Sequence, residues 1–378
     1  MRYKKKLIFL IFSGLWLLFS RALVIGQEWR PILEAIYPLG SPSGYENLVL
    51  TKIKTYLPER WKTETDNLGS LVMADPDRPM EVLIATAVDE IGYFISGVTA
   101  DGYLRLDRSQ AVPYQLYDSF LMGHGVVIWT NKGPATGVVC QPAIHLLSRE
   151  RREKLARGIS LDDIYVDIGA RSEAEVRARG IEILDGVTRE RTLTFLGTRR
   201  LSGHCLSEKL LPSLLTSLAR SFRELNINPE EGLALAWVAQ SRVSARGGRG
   251  NQSLGFLSLQ NRWHPKRVII LAGRQAEEDE TKPGPRLDEG LVILIPAEKP
   301  TALAATLLKL AGDNNIPLQL LTKQESPLLR PFQTGTTEAL ILGLPLRDAA
   351  TPAETVSLKD VDSLLRLLDL FLKTGRTE

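Results

Sequence analysis

The side chains that could hold a metal or act as nucleophiles are few and widely spaced in this chain. Its four histidines share no zinc-ligand spacing and stand at His124, His145, His204 and His264. Cys140 and Cys205 can form at most one bridge, and the sequence leaves open whether they pair. Ser207, Ser241 and Ser244 lack a Gly-x-Ser-x-Gly elbow and an identifiable histidine base, so a serine nucleophile has little support.

The composition is typical of a globular protein with a sizeable core. The 378 residues are 44% hydrophobic and 24% charged, which allows one large core or a core plus an inserted domain. Lys plus Arg number 47 and Asp plus Glu 44, giving a net charge of +3. Such a balance gives no reason to expect nucleic acid as a partner.

Residues 1–27 have the pattern of an export signal. Several cations are followed by the nearly unbroken apolar run Leu7–Phe19. Gly26 before Gln27 gives an imperfect cleavage site, and an uncleaved anchor over residues 7–25 is the alternative. Both alternatives place the folded part outside the cytoplasmic membrane, in the periplasm or another extracytoplasmic space, as a soluble or an anchored protein.

The middle of the chain is predicted to be rich in β-strands. Residues 92–195 contain many short apolar runs separated by turn signals such as Asp101-Gly102. Two short helices are predicted within them, at Ser148–Leu155 and Ser172–Arg179.

The flanking segments alternate between strands and helices. Continuous apolar runs such as Gly232–Ala239 and Arg267–Ala272 are typical of strands that are buried on both faces. A final helix is predicted to begin near Ser357. The pattern therefore predicts an α/β domain over residues 28–91 and 196–378, interrupted by the β-rich insertion.

Several short motifs, taken in order, resemble the tetrahedral aminopeptidases, a family of dinuclear-zinc exopeptidases that includes glutamyl and deblocking aminopeptidases. Each string is weak alone, but their order and spacing match over nearly the whole mature chain. The strings are Ser43-Gly44-Tyr45-Glu46, Asp66-Asn67-Leu68-Gly69-Ser70-Leu71, Asp89-Glu90-Ile91-Gly92-Tyr93, Asp101-Gly102-Tyr103-Leu104-Arg105, Pro142 to Gly180 and Gly335-Thr336-Thr337-Glu338-Ala339.

The resemblance implies a fold and an assembly. The fold class expected is α/β, with helices on both faces of a mixed sheet and an inserted β-barrel-like domain. In the resembled family that inserted domain serves dimerisation, and dimers assemble into hollow dodecamers. A homo-oligomer formed through residues 92–195 is therefore expected, and a protein partner outside the cytoplasmic membrane is left open.

The resemblance also implies where two zinc ions would be held, and each of those positions carries another residue type. The first zinc histidine falls on Ala87, the bridging aspartate on Ser207, the catalytic base on Ser241, a glutamate ligand on Arg242 and the last histidine on Ala350. The second-metal aspartate falls on Gly273 or Arg274, a choice that the sequence leaves open. These substitutions predict no bound metal, no other cofactor and no working enzyme.

The expected role of the cleft follows from Arg242, which places a positive charge at a former ligand position. Arg242 is predicted to pair with Asp89 or Glu338, and these three residues are the expected contacts of a cleft ligand. The protein would then be a scaffold, a partner subunit or a binder that uses the cleft. Two alternatives remain: a membrane-tethered accessory subunit of a larger complex, or an active metallo-aminopeptidase with relocated ligands. The relocated ligands would come from Asp89, Glu208, Glu277, Glu338 and His204.

Overall fold

A central mixed sheet organises the computed structural model, which describes residues 28–114, 116–222, 227, 232–247, 250–333 and 335–375. The predicted export segment 1–27 lies outside these residues. Eight strands form the sheet in the described part of the chain. In spatial order they are β1 (Thr63–Thr65), β2 (Leu71–Met73), β12 (Leu233–Val238), β3 (Val82–Ala87), β15 (Arg267–Gln275), β18 (Glu338–Leu346), β16 (Leu291–Leu294) and β17 (Leu318–Leu321).

The middle of this sheet is parallel and fully covered. β12, β3, β15 and β18 run parallel to one another, and all six residues of β12 are buried. A strand needs a continuous apolar sequence when both of its faces are packed. One face packs on α1 (Trp29–Ile36), α2 (Asn47–Lys54), α5 (Ser207–Ser221), α7 (Ala302–Asp313) and α8 (Leu358–Leu370), and the other on α6 (Leu254–Trp263).

A closed six-stranded barrel interrupts this α/β domain. Around the barrel the strands are β4 (Tyr93–Val98), β5 (Leu104–Arg108), β8 (Tyr165–Asp167), β7 (Gly133–Cys140), β6 (Gly125–Thr130) and β9 (Gly186–Arg189). Gly102 turns the chain between β4 and β5 at a φ of +87°, where a Cβ atom would lie 2.8 Å from the carbonyl oxygen of Ala170. The helices α3 (Arg149–Ala156) and α4 (Glu173–Ala178) lie in the same insertion.

Two smaller sheets complete the described structure. One contains β10 (Thr194–Leu196), β11 (Arg200–Gly203) and β19 (Glu354–Ser357), and the other is the hairpin of β13 (Ser244–Gly247) and β14 (Gly250–Ser253). None of the described helices combines the length and the apolar composition that a membrane crossing requires.

The predicted fold class is confirmed: helices cover both faces of a mixed sheet, and a barrel interrupts the domain. The domain boundaries at 92 and 195 stay a prediction. In the sequence, the first barrel strand begins at Tyr93 and the last one ends at Arg189. Cys140 and Cys205 are both free thiols.

A buried cluster of charges joins the barrel to the α/β domain. The carboxylate of Glu90, which follows β3, bonds to both terminal nitrogens of Arg191, with Nη2 at 2.8 Å from Oε1. The Nζ of Lys209 on α5 lies 3.8 Å from Glu90 Oε1, and the side chains of all three residues are at most 3% exposed. Burial alone would raise the pKa of Glu90, but the two cations lower it to about 2. Glu90 is thus a charged link between two domains.

We expect Glu90→Gln to destabilise the protein by about 3–5 kcal/mol, because the change leaves two buried cations without their counter-charge. The matched control is Glu64→Gln, which breaks an exposed pair with Arg262 and should cost less than about 1 kcal/mol. Urea denaturation followed by circular dichroism measures the free energies of unfolding. Equal losses in the two variants would contradict the role given to Glu90.

Candidate functional site

A cleft of about 360 Å³ lies where β3, β12 and β15 end beside the first turn of α5. The carboxyl ends of neighbouring parallel strands meet at one edge of a sheet, so the residues that follow them are brought together. Most of the lining is apolar: Ala87, Ala111, Val112, Pro113, Leu211, Leu271, Ala272, Gly273, Pro327 and Leu328. The polar lining consists of Thr86, Ser207, Glu208, Ser241, Arg242, Ser244 and Ser253.

Asp89 is the buried carboxylate that orders the loops around this cleft. Its Oδ2 accepts hydrogen bonds from the Ser43 hydroxyl at 2.7 Å and from the backbone N–H of Arg242 at 2.9 Å. Its Oδ1 accepts a hydrogen bond from the hydroxyl of Ser241. A buried carboxylate needs such donors. Asp89 therefore ties the end of β3 to the loop that follows β12.

Arg242 crosses the cleft and pairs with the first turn of α5. Its Nε donates to the backbone carbonyl of Asp89 at 3.2 Å, and its Nη2 forms an ion pair with Glu208 Oε1. The other oxygen of Glu208 accepts a hydrogen bond from the Ser207 hydroxyl at 2.8 Å. Burial opposes the charge of Arg242, but Glu208 and Asp89 outweigh it and hold the pKa of Arg242 above its usual value. The guanidinium is thus a fixed cation inside the cleft.

Glu354 is hydrogen-bonded to the same first turn of α5. Its Oε2 accepts a hydrogen bond from the backbone N–H of Ser207 at 3.3 Å, and its Oε1 accepts one from Ala350 at 2.9 Å. Burial and the nearby charge of Glu208 hold the pKa of Glu354 well above its usual range. Ala350 has a φ of +58°, a left-handed conformation that its bond to Glu354 helps to hold.

The structure brings most of the predicted positions together. Ala87, Ser207, Ser241 and Arg242 all line the cleft, and Ala350 is linked to it through Glu354. Gly273 also lines the cleft, and a Cβ atom there would come within 2.8 Å of Ser207 Cβ; Arg274 is not among the lining residues.

The prediction that Glu338 contacts a cleft ligand is wrong, because this residue lies away from the cleft. It begins β18 and is paired in register with Arg267, the first residue of β15, so it lies at the opposite edge of the sheet from the cleft. Its carboxylate accepts a hydrogen bond from the backbone N–H of Leu303 at 2.8 Å, in the first turn of α7. Of the two partners expected for Arg242, the structure places Asp89 beside it, and Glu208 takes the place of Glu338.

Of the other proposed relocated ligands, Glu208 lines the cleft and Asp89 contacts Arg242, whereas Glu277 and His204 lie apart from the lining. Glu277 accepts a hydrogen bond from the backbone N–H of Asp279 at 3.0 Å and belongs to the loop after β15. His204 is buried with its Nε2 3.5 Å from the Cys205 sulfur, and its Nδ1 has no hydrogen-bond partner among the described residues. Burial and the nearby cation Arg191 lower the pKa of His204 to about 4, which keeps its ring neutral at neutral pH.

Glu46 is a further carboxylate at this site, which the sequence named only as part of the Ser43–Glu46 motif. Its Oε1 accepts hydrogen bonds from the backbone N–H of Gly44 at 3.0 Å and from that of Gln240 at 2.8 Å. Burial and the negative charge of Asp89 raise the pKa of Glu46 to about 7. The available signal was the Ser43–Glu46 motif, but nothing in it indicates a contact with the loop after β12.

The chain is similar to a known family of proteins. A family model described as M42 glutamyl aminopeptidase matches residues 69–367. A curated relative is the putative aminopeptidase FrvX of Escherichia coli (strain K12), which is 25% identical over 336 residues that cover 83% of this chain and 86% of that protein.

Solved structures show the same fold. The TET aminopeptidase of the marine sediment archaeon Thaumarchaeota archaeon SCGC AB-539-E09 superposes with a TM-score of 0.77 at 20% identity, covering 92% of this chain and 96% of that one. The TET1 peptidase of Pyrococcus horikoshii, which assembles into a tetrahedron or a large octahedral shell, gives a TM-score of 0.75 at 23% identity, with 92% and 99% covered.

Two expectations from the sequence are wrong in light of these matches. The expectation that the chain is not an enzyme is contradicted, because the matched family and the similar proteins are aminopeptidases. The expectation of no cofactor is contradicted as well, because M42 aminopeptidases depend on a metal, zinc or cobalt. The substitutions at the assigned metal positions concern single residues of one chain, and they do not determine the chemistry of the whole family.

The donor set described in the cleft does not fit the family's metal pair at the positions that the resemblance assigns. The side chain of Ala87 has no lone pair to donate, and Arg242 offers N–H donors and a fixed positive charge, which repels a cation. Within the residues that the structure describes, no group of three or more His, Cys, Asp or Glu side chains is arranged to hold an ion. The chemistry of the cleft therefore depends on the side chains that this chain carries there.

We expect Glu46→Gln to flatten the loss of stability as the pH rises from 5 to 8. The folded protein holds the Glu46 proton up to a pH of about 7, whereas the unfolded chain releases it near its usual pKa of 4.5. Folding therefore binds a proton in this window, and stability falls as the pH rises through it. Glutamine keeps the acceptor oxygen, so the variant should gain about 2 kcal/mol relative to the wild type between pH 5 and 8.

Urea denaturation at several pH values checks this, with Glu64→Gln as the control at an exposed site. Parallel stability curves for wild type and Glu46→Gln would contradict the account of Glu46.

Proposed function

Because the chain belongs to the M42 glutamyl aminopeptidase family, we propose that it takes the end of a peptide into the cleft beside α5. The single observation that supports this most is the position and composition of the cleft. It lies at the edge where β3, β12 and β15 end, and it combines an apolar wall with one charged pair. Ligands of open α/β sheets bind at such edges.

The size of the cleft favours a chain end over a longer segment. Its volume of about 360 Å³ is near the lower limit for ligand sites, which span roughly 300–1,000 Å³. Leu271 and Leu328 contribute apolar surface that an uncharged side chain of the peptide would cover. A peptide that enters end-on places its first one or two residues against this surface.

The polar lining can hydrogen-bond a peptide backbone. The hydroxyls of Ser207 and Ser241 each donate to a carboxylate of this chain, so their lone pairs remain to accept N–H groups of a ligand. Arg242 supplies donors for carbonyl or carboxylate oxygens. The cleft therefore offers both kinds of partner that a peptide end requires.

The working unit that we propose is a homo-oligomer formed through residues 92–195. Several large apolar side chains in this range are well exposed, among them Val138 at 48%, Ile144 at 47% and Leu146 at 78%. Exposed apolar surface of this kind is typical of an association site. The assembly of the structurally similar TET1 peptidase of Pyrococcus horikoshii supports the same reading.

We further propose that the protein works outside the cytoplasmic membrane. The support is the basic start and apolar run of residues 1–27. N-terminal sequencing of the natural protein separates a soluble form, which would begin near Gln27, from a membrane-tethered subunit that keeps residues 7–25. Recovery of the uncleaved chain in the cytosolic fraction would contradict export.

We expect Val112→Trp to weaken peptide binding at least tenfold, because the indole would fill the cleft from a loop at its rim. Fluorescence anisotropy with a labelled tetrapeptide measures Kd. Release of N-terminal residues, followed by mass spectrometry with added Zn²⁺ or Co²⁺, should fall in step with binding. Leu320→Trp, at an exposed position on β17, is the control that should bind like the wild type.

A wild-type protein that binds no peptide would contradict this function. So would unchanged binding by a Val112→Trp variant with wild-type stability.

We expect Leu146→Asp to reduce the molar mass measured by light scattering after size-exclusion chromatography. A charge at this exposed apolar position would have to be desolvated in the proposed contact. Leu320→Asp, which is exposed outside the barrel, should leave the mass unchanged. A monomeric wild type, or equal masses for the two variants, would contradict the proposed assembly.

A further inference from the structure

We infer that Arg242 is the anchor of the cleft for a carboxylate group of the bound peptide. The inference rests on the proposed function and names the chemical group that the cleft selects. Arg242 stands at a position where the resemblance places a metal ligand.

The hydrogen bonds of the guanidinium leave one of its edges free. Of its five N–H donors, Nε bonds to the Asp89 carbonyl and one hydrogen of Nη2 bonds to Glu208. Both hydrogens of Nη1 and the second hydrogen of Nη2 have no acceptor among the described residues. These three donors form the end of the guanidinium, which can bind both oxygens of one carboxylate.

The free edge is accessible and held in place. Arg242 and Glu208 both line the cleft. The side chain of Arg242 is 34% exposed, whereas that of Glu208 is 12% exposed. Two bonds on the opposite edge fix the orientation of the guanidinium plane before a ligand arrives. Such pre-organisation reduces the conformational entropy that binding would otherwise cost.

The carboxylates nearest to Arg242 are already engaged, and Glu46 is buried outside the cleft lining, which disfavours an ammonium group as the ligand. Both oxygens of Asp89 and both of Glu208 accept hydrogen bonds or ion pairs within the chain. Glu354 is buried with both oxygens bonded to backbone N–H groups. A peptide amine would find few free acceptors of negative charge here, whereas a carboxylate finds three unused donors.

The apolar part of the lining strengthens this preference. Leu211, Leu271 and Leu328 line the same cleft as the guanidinium. A ligand that covers them excludes water from the ion pair, and an ion pair is stronger where the effective dielectric constant is lower. The carboxylate could belong to the C-terminus of a short peptide or to an acidic side chain near its end.

Four forms of one labelled tetrapeptide, titrated against the full-length protein, test the inference. The parent has neutral side chains and an amidated C-terminus, so it carries no carboxylate. The second form has a free C-terminus, the third a glutamate at its first residue, and the fourth glutamine at that residue. We expect the second or the third to bind at least tenfold more tightly than the parent, and the fourth to bind like the parent. Which of the two gains affinity identifies the source of the carboxylate.

Substitutions then assign the preference to one side chain. We expect Arg242→Gln to remove the tenfold difference and Arg242→Lys to keep part of it, because lysine retains the charge without the two-pronged geometry. Arg262→Gln, at an exposed ion pair away from the cleft, should keep the full difference. Thermal unfolding of each variant shows whether the fold is retained.

The wild-type titrations decide the matter even if Arg242→Gln does not fold. Equal affinity for all four peptides would overturn the inference while leaving the peptide-binding function in place. A full carboxylate preference in a folded Arg242→Gln variant would overturn it too. Absence of binding by every peptide would instead defeat the proposed function itself.

Discussion

The contacts of Arg242 with Asp89 and Glu208 determine the form of the cleft. Asp89 follows β3, Arg242 follows β12, and Glu208 lies in the first turn of α5, so these contacts join three elements that are distant in sequence. The next residue after Asp89 is Glu90, which binds Arg191 and Lys209 at the junction with the barrel. Two consecutive acidic residues thus serve two purposes, one ordering the cleft and the other holding the inserted domain against it.

Much of the fold could be predicted from local patterns. The apolar run Arg267–Ala272 lies within β15, and the predicted helix Ser148–Leu155 corresponds to α3, whose first turn is capped by the Ser148 side chain. These features depend on short-range sequence, which records periodicity and caps directly. The order of strands in the sheet and the closure of the barrel depend on contacts between distant residues. They could be expected from the family resemblance but not from the pattern alone.

The site was predictable in position and less so in its contacts. Motif alignment located Ala87, Ser207, Ser241 and Arg242, which the strand ends bring to one cleft. It failed for Glu338, because a motif shows that a residue resembles a ligand position and does not show at which edge of the sheet the chain places it. The ion-pair partner of Arg242 is Glu208, whose position depends on the packing of α5. Loss of enzyme function was also expected, and membership of an aminopeptidase family contradicts that expectation.

The central claim is that the free edge of Arg242 receives a carboxylate, and a crystal structure of the full-length protein with the bound peptide tests it most directly. The account predicts both carboxylate oxygens at about 3 Å from Nη1 and Nη2, with Nε still bonded to the carbonyl of Asp89. A peptide whose amine contacts Glu208 while its carboxylates lie in solvent, or an Arg242 side chain turned out of the cleft, would contradict it.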